Sequence, residues 1–126
     1  MSQKILLIED MKGVRESLEV ILSIQGYKVD FANNGTEGLH KAKASKYDLV
    51  ITDILMPEMD GTEVIIQLRT SGNQVPILAI SAGGDGVSAK QALTLAKEKA
   101  SAILEKPFSK DELLKKKYPD LKKKIS

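Results

Sequence analysis

The chain has 126 residues, 42% of them apolar and 29% charged, with no cysteine and a formal charge of +2. That length predicts one domain with a buried core of its own, and the absence of cysteine excludes disulfides, thiolate metal sites and a cysteine nucleophile. No apolar run approaches the ~20 residues of a membrane span, and the first apolar run is too short for the core of a signal peptide, so a cytoplasmic location is expected.

Short apolar runs alternate with amphipathic stretches. Residues 5–8 form a continuous apolar run of strand length. Residues 11–25 then place Val14, Leu18, Ile21 and Leu22 on one helical face, closed by Gly26. Residues 27–31 read as a second strand, and Asn33-Asn34-Gly35 as a turn into a helix over about 35–45. Residues 49–51 make a third strand, and after Gly61 a helix carries Val64, Ile65 and Leu68 inward. A fourth strand follows at 75–80, then the loop 81–86, a helix at about 87–99 and a fifth strand at 102–104. Ser109 caps a last helix that Pro119 stops near Lys117.

Five strand–helix alternations imply an α/β fold, a parallel sheet with helices on both faces. The strands are apolar throughout, as expected of strands covered on both sides. In such sheets a ligand site lies beyond the carboxyl ends of the strands, where strand order reverses. Glu9-Asp10, Asp53, Ser81 and Lys106 all fall at or just after predicted strand ends. Carboxylates gathered in one pocket repel one another, and a hard divalent cation such as Mg²⁺, which takes oxygen ligands, offsets that repulsion. A carboxylate beside such an ion can attack phosphorus and form an acyl phosphate. Lys106 is suited to pair with phosphoryl oxygens as a compact cation, and the Ser81 hydroxyl to donate to one of them. Each residue also has an ordinary reading as a turn former, cap or surface group; their coincidence at strand ends argues against taking all of them that way.

The chain resembles the receiver domains of two-component response regulators. The residues that carry the resemblance are Ile5-Leu6-Leu7-Ile8-Glu9-Asp10, Asp48-Leu49-Val50-Ile51-Thr52-Asp53-Ile54-Leu55-Met56-Pro57-Glu58-Met59-Asp60-Gly61, Pro76-Ile77-Leu78-Ala79-Ile80-Ser81-Ala82 and Lys106-Pro107-Phe108. The resemblance implies a (βα)5 doubly wound, flavodoxin-like sheet of five parallel strands in order 2-1-3-4-5. It implies Asp53 as acceptor of a phosphoryl group from the phosphohistidine of a histidine kinase or phosphotransfer protein. Glu9, Asp10, Asp53 and the backbone carbonyl of Leu55 would then surround Mg²⁺, with Ser81 and Lys106 on the phosphoryl group. The receiver is expected over residues 1–117, with a lysine-rich tail or short extra turn over 118–126.

Three positions depart from the family pattern. Ile103 stands where receivers commonly carry an aromatic switch residue. Leu55 and Gly83, two residues past Asp53 and Ser81, offer no side-chain polar group to hold an attacking water, which predicts slow self-dephosphorylation. Pro119 shortens the last helix. Six lysines in the final twelve residues (Lys115, Lys116, Lys117, Lys122, Lys123, Lys124) read as a solvated terminus. No aromatic ladder or groove-reading helix accompanies them, so nucleic acid is not an expected partner. The expected output is phosphorylation-dependent contact with a downstream protein, by a monomer or weak dimer. The alternatives are a receiver belonging to a longer regulator with a DNA-binding or enzymatic output domain, and a Mg²⁺-dependent phosphatase with an Asp nucleophile. The phosphatase reading is weakened because Leu55 stands where such enzymes place a second Asp as general acid. His40, the sole histidine, reads as a surface residue, and the glycines of the 83–86 loop lack the spacing of a phosphate loop.

Overall fold

The structure, a computed structural model, describes residues 3–54, 61–81 and 102–105, and for Ser81 and residues 102–105 the backbone alone. The described elements are β1 (Lys4–Ile8), α1 (Lys12–Ile24), β2 (Lys28–Ala32), α2 (Gly35–Ala44), β3 (Leu49–Asp53), α3 (Gly61–Thr70), β4 (Ile77–Ser81) and β5 (Ala102–Glu105). The five strands form one parallel sheet in the order β2-β1-β3-β4-β5, the order that the family resemblance implies. Strand order reverses between β1 and β3, which places the expected ligand crevice at their carboxyl ends. The expected helix over 87–99, the last helix and the tail lie outside the described residues, as do the 83–86 loop and Pro119.

Every side chain of β3, and all of β1 but Lys4, is buried. Because successive residues of a strand point to opposite faces, these runs feed two separate cores. Leu6, Ile8, Val50 and Ala79 pack on one face with Leu39 and Ala42 of α2 and Val64, Ile65 and Leu68 of α3. Ile5, Leu7, Leu49, Ile51, Leu78 and Ile80 pack on the other with Leu18 and Leu22 of α1. Burying a leucine or isoleucine side chain contributes roughly 1.5–3 kcal/mol, so the central strands anchor both layers.

Local chemistry sets the helix ends. α1 closes on Gly26, whose φ of 93° is left-handed. Gly26 N–H donates to the Ser23 carbonyl and Tyr27 N–H to that of Leu22, the paired bonds of a Schellman cap. α2 opens on Asn34, whose side chain accepts from Glu37 N–H at 2.8 Å, while Glu37 reaches back to accept from Asn33 N–H at 3.1 Å. This reciprocal capping satisfies donors that a helix start otherwise leaves unpaired. β3 runs two residues past the apolar stretch 49–51: Thr52 and Asp53 are polar, yet both extend the strand and are buried. Pairing with β4 explains the extension, since Thr52 and Asp53 lie opposite Ala79 and Ile80.

Candidate active site

The register lines up the carboxyl ends of the strands. Ile8 stands opposite Ala32 on one side and Thr52 on the other, and Ser81 stands opposite Glu105. Glu9 and Asp10 therefore leave β1 beside the last residue of β3, Asp53. Carboxylate oxygens of Glu9, Asp10 and Asp53 all lie within 4.8 Å of one another. Glu9 is fully buried and Asp53 is 4% exposed, while Asp10 is half-buried at the rim.

Neighbouring elements hold the backbone of the cluster in place. Glu9 is fixed through its backbone and its side chain. Its N–H donates to the Ala32 carbonyl at 3.1 Å, and its Oε1 accepts from Met11 N–H at 3.2 Å. Its carbonyl accepts from Arg15 Nη1 at 3.3 Å. Asp53 is fixed through its backbone by Gly61. There α3 begins directly against the end of β3, with Gly61 N–H donating to the Ile54 carbonyl at 2.8 Å. A Cβ at position 61 would run into the Asp53 carbonyl oxygen and come within 2.9 Å of Ile54 Cα. Glycine is the residue that allows this approach. Gly38 lets α2 settle on β1 in the same way, since a Cβ there would meet the Ile8 side chain.

The donor set suits a hard divalent cation. All three side chains offer carboxylate oxygen, cysteine is absent, and His40 sits exposed on α2. The three carboxylates come within 4.8 Å of one another, close enough to share one Mg²⁺. Magnesium thus fits the acids on chemistry and spacing.

The strand-end reading of the sequence thus brings Glu9, Asp10 and Asp53 together and places the Ser81 backbone one residue beyond Ile80, the register partner of Asp53. Leu55 and Lys106 lie outside the described residues, as does the Ile103 side chain. The sequence reading overlooked Arg15 and the steric role of Gly61. Arg15 had a visible signal, because it continues the buried stripe of Leu18 and Leu22 by one further helical step. A cavity of about 680 Å³ lies near the opposite end of the sheet, lined by residues 42–48, 50 and 73–75. The acidic cluster is not part of it, and here the convergence of chemical groups is a better guide to a site than volume.

Comparison with known proteins agrees with this geometry. The family model of the response regulator receiver domain matches residues 5–117. Response regulator MprA of Mycobacterium bovis is 42% identical over 114 residues, covering 90% of this chain and 48% of that protein. The chain thus spans about half the length of the curated relatives it matches. Among solved structures, the Vibrio cholerae chemotaxis protein CheY4 superposes with a TM-score of 0.78 at 31% identity, covering 91% of this chain and 95% of that one. The receiver domain of a sensor histidine kinase from Pseudomonas aeruginosa PAO1, with a magnesium ion coordinated in its active site cleft, gives 0.81 at 28% identity over 91% and 93% of the two chains. The chain belongs to the response regulator receiver family and is a receiver domain of the two-component type. Receivers of this family act in signalling rather than as enzymes on external substrates. Among the described residues, no helix is long and apolar enough to cross a membrane.

Proposed function

We propose that this receiver accepts a phosphoryl group on Asp53 and signals by protein contact that depends on it. The observation that carries the proposal is the cluster of Glu9, Asp10 and Asp53 carboxylates at the switch point of the sheet. In the step, an oxygen of the Asp53 carboxylate bonds to phosphorus while the bond from phosphorus to the donor's histidine nitrogen breaks. The electron pair returns to that nitrogen. Glu9, Asp10 and Asp53, with the Leu55 carbonyl, would hold Mg²⁺, which when bound supplies positive charge for the phosphoryl oxygens. Ser81 and Lys106 would bind the transferred group, the lysine as a point charge. Burial of Asp53 excludes bulk water and strengthens each of these electrostatic contacts.

The phosphodonor would be a histidine kinase or phosphotransfer protein and the reader a downstream protein, all in the cytoplasm. The receiver would occupy residues 1–117, followed over 118–126 by a lysine-rich tail or short extra turn. Because longer regulators share this domain, an output domain encoded downstream is the second reading, favoured by the half-length match to MprA.

With Mg²⁺ and acetyl phosphate, the protein should gain one phosphoryl group that alkali or hydroxylamine releases. Asp53→Asn should abolish it; labelling that survives this change would sink the assignment. Leu55 gives attacking water no polar partner, so the aspartyl phosphate should hydrolyse slowly. Leu55→Asn should shorten its lifetime, read by loss of label after the donor is removed, and an unchanged lifetime would refute that role.

A further inference from the structure

We propose that Arg15 is a positioning residue for the metal side of the pocket, locked in place by stacking on Phe31. The inference rests on the reading of Glu9 and Asp10 as metal ligands beside Asp53. Arg15 is only 8% exposed, on the core-facing side of α1 above Leu18 and Leu22. A buried arginine is costly unless its charge is compensated. Two contacts account for the guanidinium here. Its Nη1 donates to the Glu9 carbonyl at 3.3 Å, and its Cζ lies 4.7 Å from the centre of the Phe31 ring. Phe31 is the penultimate residue of β2, and Ala32 beside it accepts the Glu9 N–H. A single short piece of β2 thus anchors the peptide unit of Glu9 on one side directly and on the other through Arg15.

Lys41 of α2 completes the frame. Its ammonium lies 5.5 Å from the Phe31 ring centre, donates to the Phe31 carbonyl at 2.6 Å and pairs with Glu37 at 3.3 Å. Phe31 therefore carries cations contributed by α1 and by α2. The ring holds the guanidinium, the guanidinium holds the Glu9 carbonyl, and Asp10 follows from that carbonyl through one planar peptide bond. Groups that orient ligands from outside the coordination sphere commonly set metal affinity. The opposing effect is electrostatic, because a cation beside the acids repels Mg²⁺. The two effects predict opposite outcomes when Arg15 is removed.

Magnesium binding to the unphosphorylated protein, followed by calorimetry, decides between them. Arg15→Met should weaken Mg²⁺ binding about tenfold, the loss typical of an outer-shell partner. Arg15→Lys should recover part of it, since an ammonium neither stacks nor donates in a planar fork. Phe31→Leu, which keeps the arginine, should weaken binding in the same direction. Amide chemical shifts of residues 9–11, recorded without metal, should move in all three variants. Equal or tighter Mg²⁺ binding by Arg15→Met would overturn the proposal, and if that variant fails to fold, Arg15→Lys and Phe31→Leu decide by the same criterion. A wild-type protein that binds no Mg²⁺ would overturn the functional reading itself; wild-type binding with all variants unchanged would overturn only the role of Arg15.

Discussion

Near the start of β1, Asp30 accepts from the Tyr47 hydroxyl at 2.9 Å and pairs with Lys4 at 3.5 Å, while Asp48 accepts from the Lys4 N–H at 2.8 Å. At the other end of the same strand, Glu9, Asp10 and Asp53 crowd their carboxylates together, and the buried cation beside them directs a hydrogen bond to a backbone carbonyl. Both ends use the same residue type. At the first, each acid meets a donor or cation of opposite character, and the cluster serves the fold. At the second, like charges are held close by strand register, Gly61 and Arg15, at a cost in repulsion. The difference teaches that an acid's role follows from its company: neutralised acids brace, and compressed acids are poised for a cation.

The strongest way to break the comparison is to disturb the compression. Gly61→Ala places a methyl group against the Asp53 carbonyl, and backbone leaves no flexible neighbour to yield. A loss of about 3 kcal/mol is expected, at the upper end for overpacking, together with lost phosphoryl acceptance. Denaturant unfolding and labelling with acetyl phosphate read the two effects separately.

A paired substitution sharpens it. Asp10→Ala should leave metal-free stability unchanged or higher, because it removes repulsion, but should abolish the melting-temperature rise that Mg²⁺ produces. Asp30→Ala should cost about 1 kcal/mol, from the lost Tyr47 bond and a partly exposed ion pair, whether Mg²⁺ is present or not. If both variants responded alike to Mg²⁺, the contrast between the two ends would fail.

The smallest expected effect is in alkaline titration. Partial burial, followed by the hydrogen bond and charge of Asp30, raises the Tyr47 phenol from its ordinary 10.0 to about 12. The folded state thus holds this proton where the unfolded state releases it. The contribution to stability is complete below pH 10 and disappears as pH rises through about 12. Tyr47→Phe should flatten that decline in denaturant midpoints, and an identical slope would show that the phenol does not contribute.

Much of the architecture is legible in the sequence because its signals are local. The apolar stretches at 5–8 and 49–51 lie in β1 and β3, and the helix read over 11–25 is found at Lys12–Ile24. Gly26 and the Asn33-Asn34-Gly35 turn punctuate the chain as residue chemistry requires. The acidic site was legible too, since parallel strands deliver their ends to one edge. What remained hidden depends on contacts across the fold. Gly61 looks like part of a loop signature until α3 is seen against the Asp53 carbonyl. Arg15 looks like a surface cation until Phe31, sixteen residues on, is placed beneath it. The Gly61 contact leaves no periodic trace in its own segment, and the helical step that puts Arg15 in line with Leu18 and Leu22 does not name its partner.

Glu9 and Asp53 leave neighbouring hydrogen-bonded strands, and parallel strands stand about 4.8 Å apart. The backbones that carry these two acids are therefore spaced by the repeat of the sheet itself. Side-chain substitution at the edge can change which ion enters, or how tightly, but the strand spacing beneath it is set by backbone hydrogen bonds. A designer seeking a divalent site could begin with any adjacent pair of buried parallel strands, end each in an acid, and spend the remaining effort on the loops.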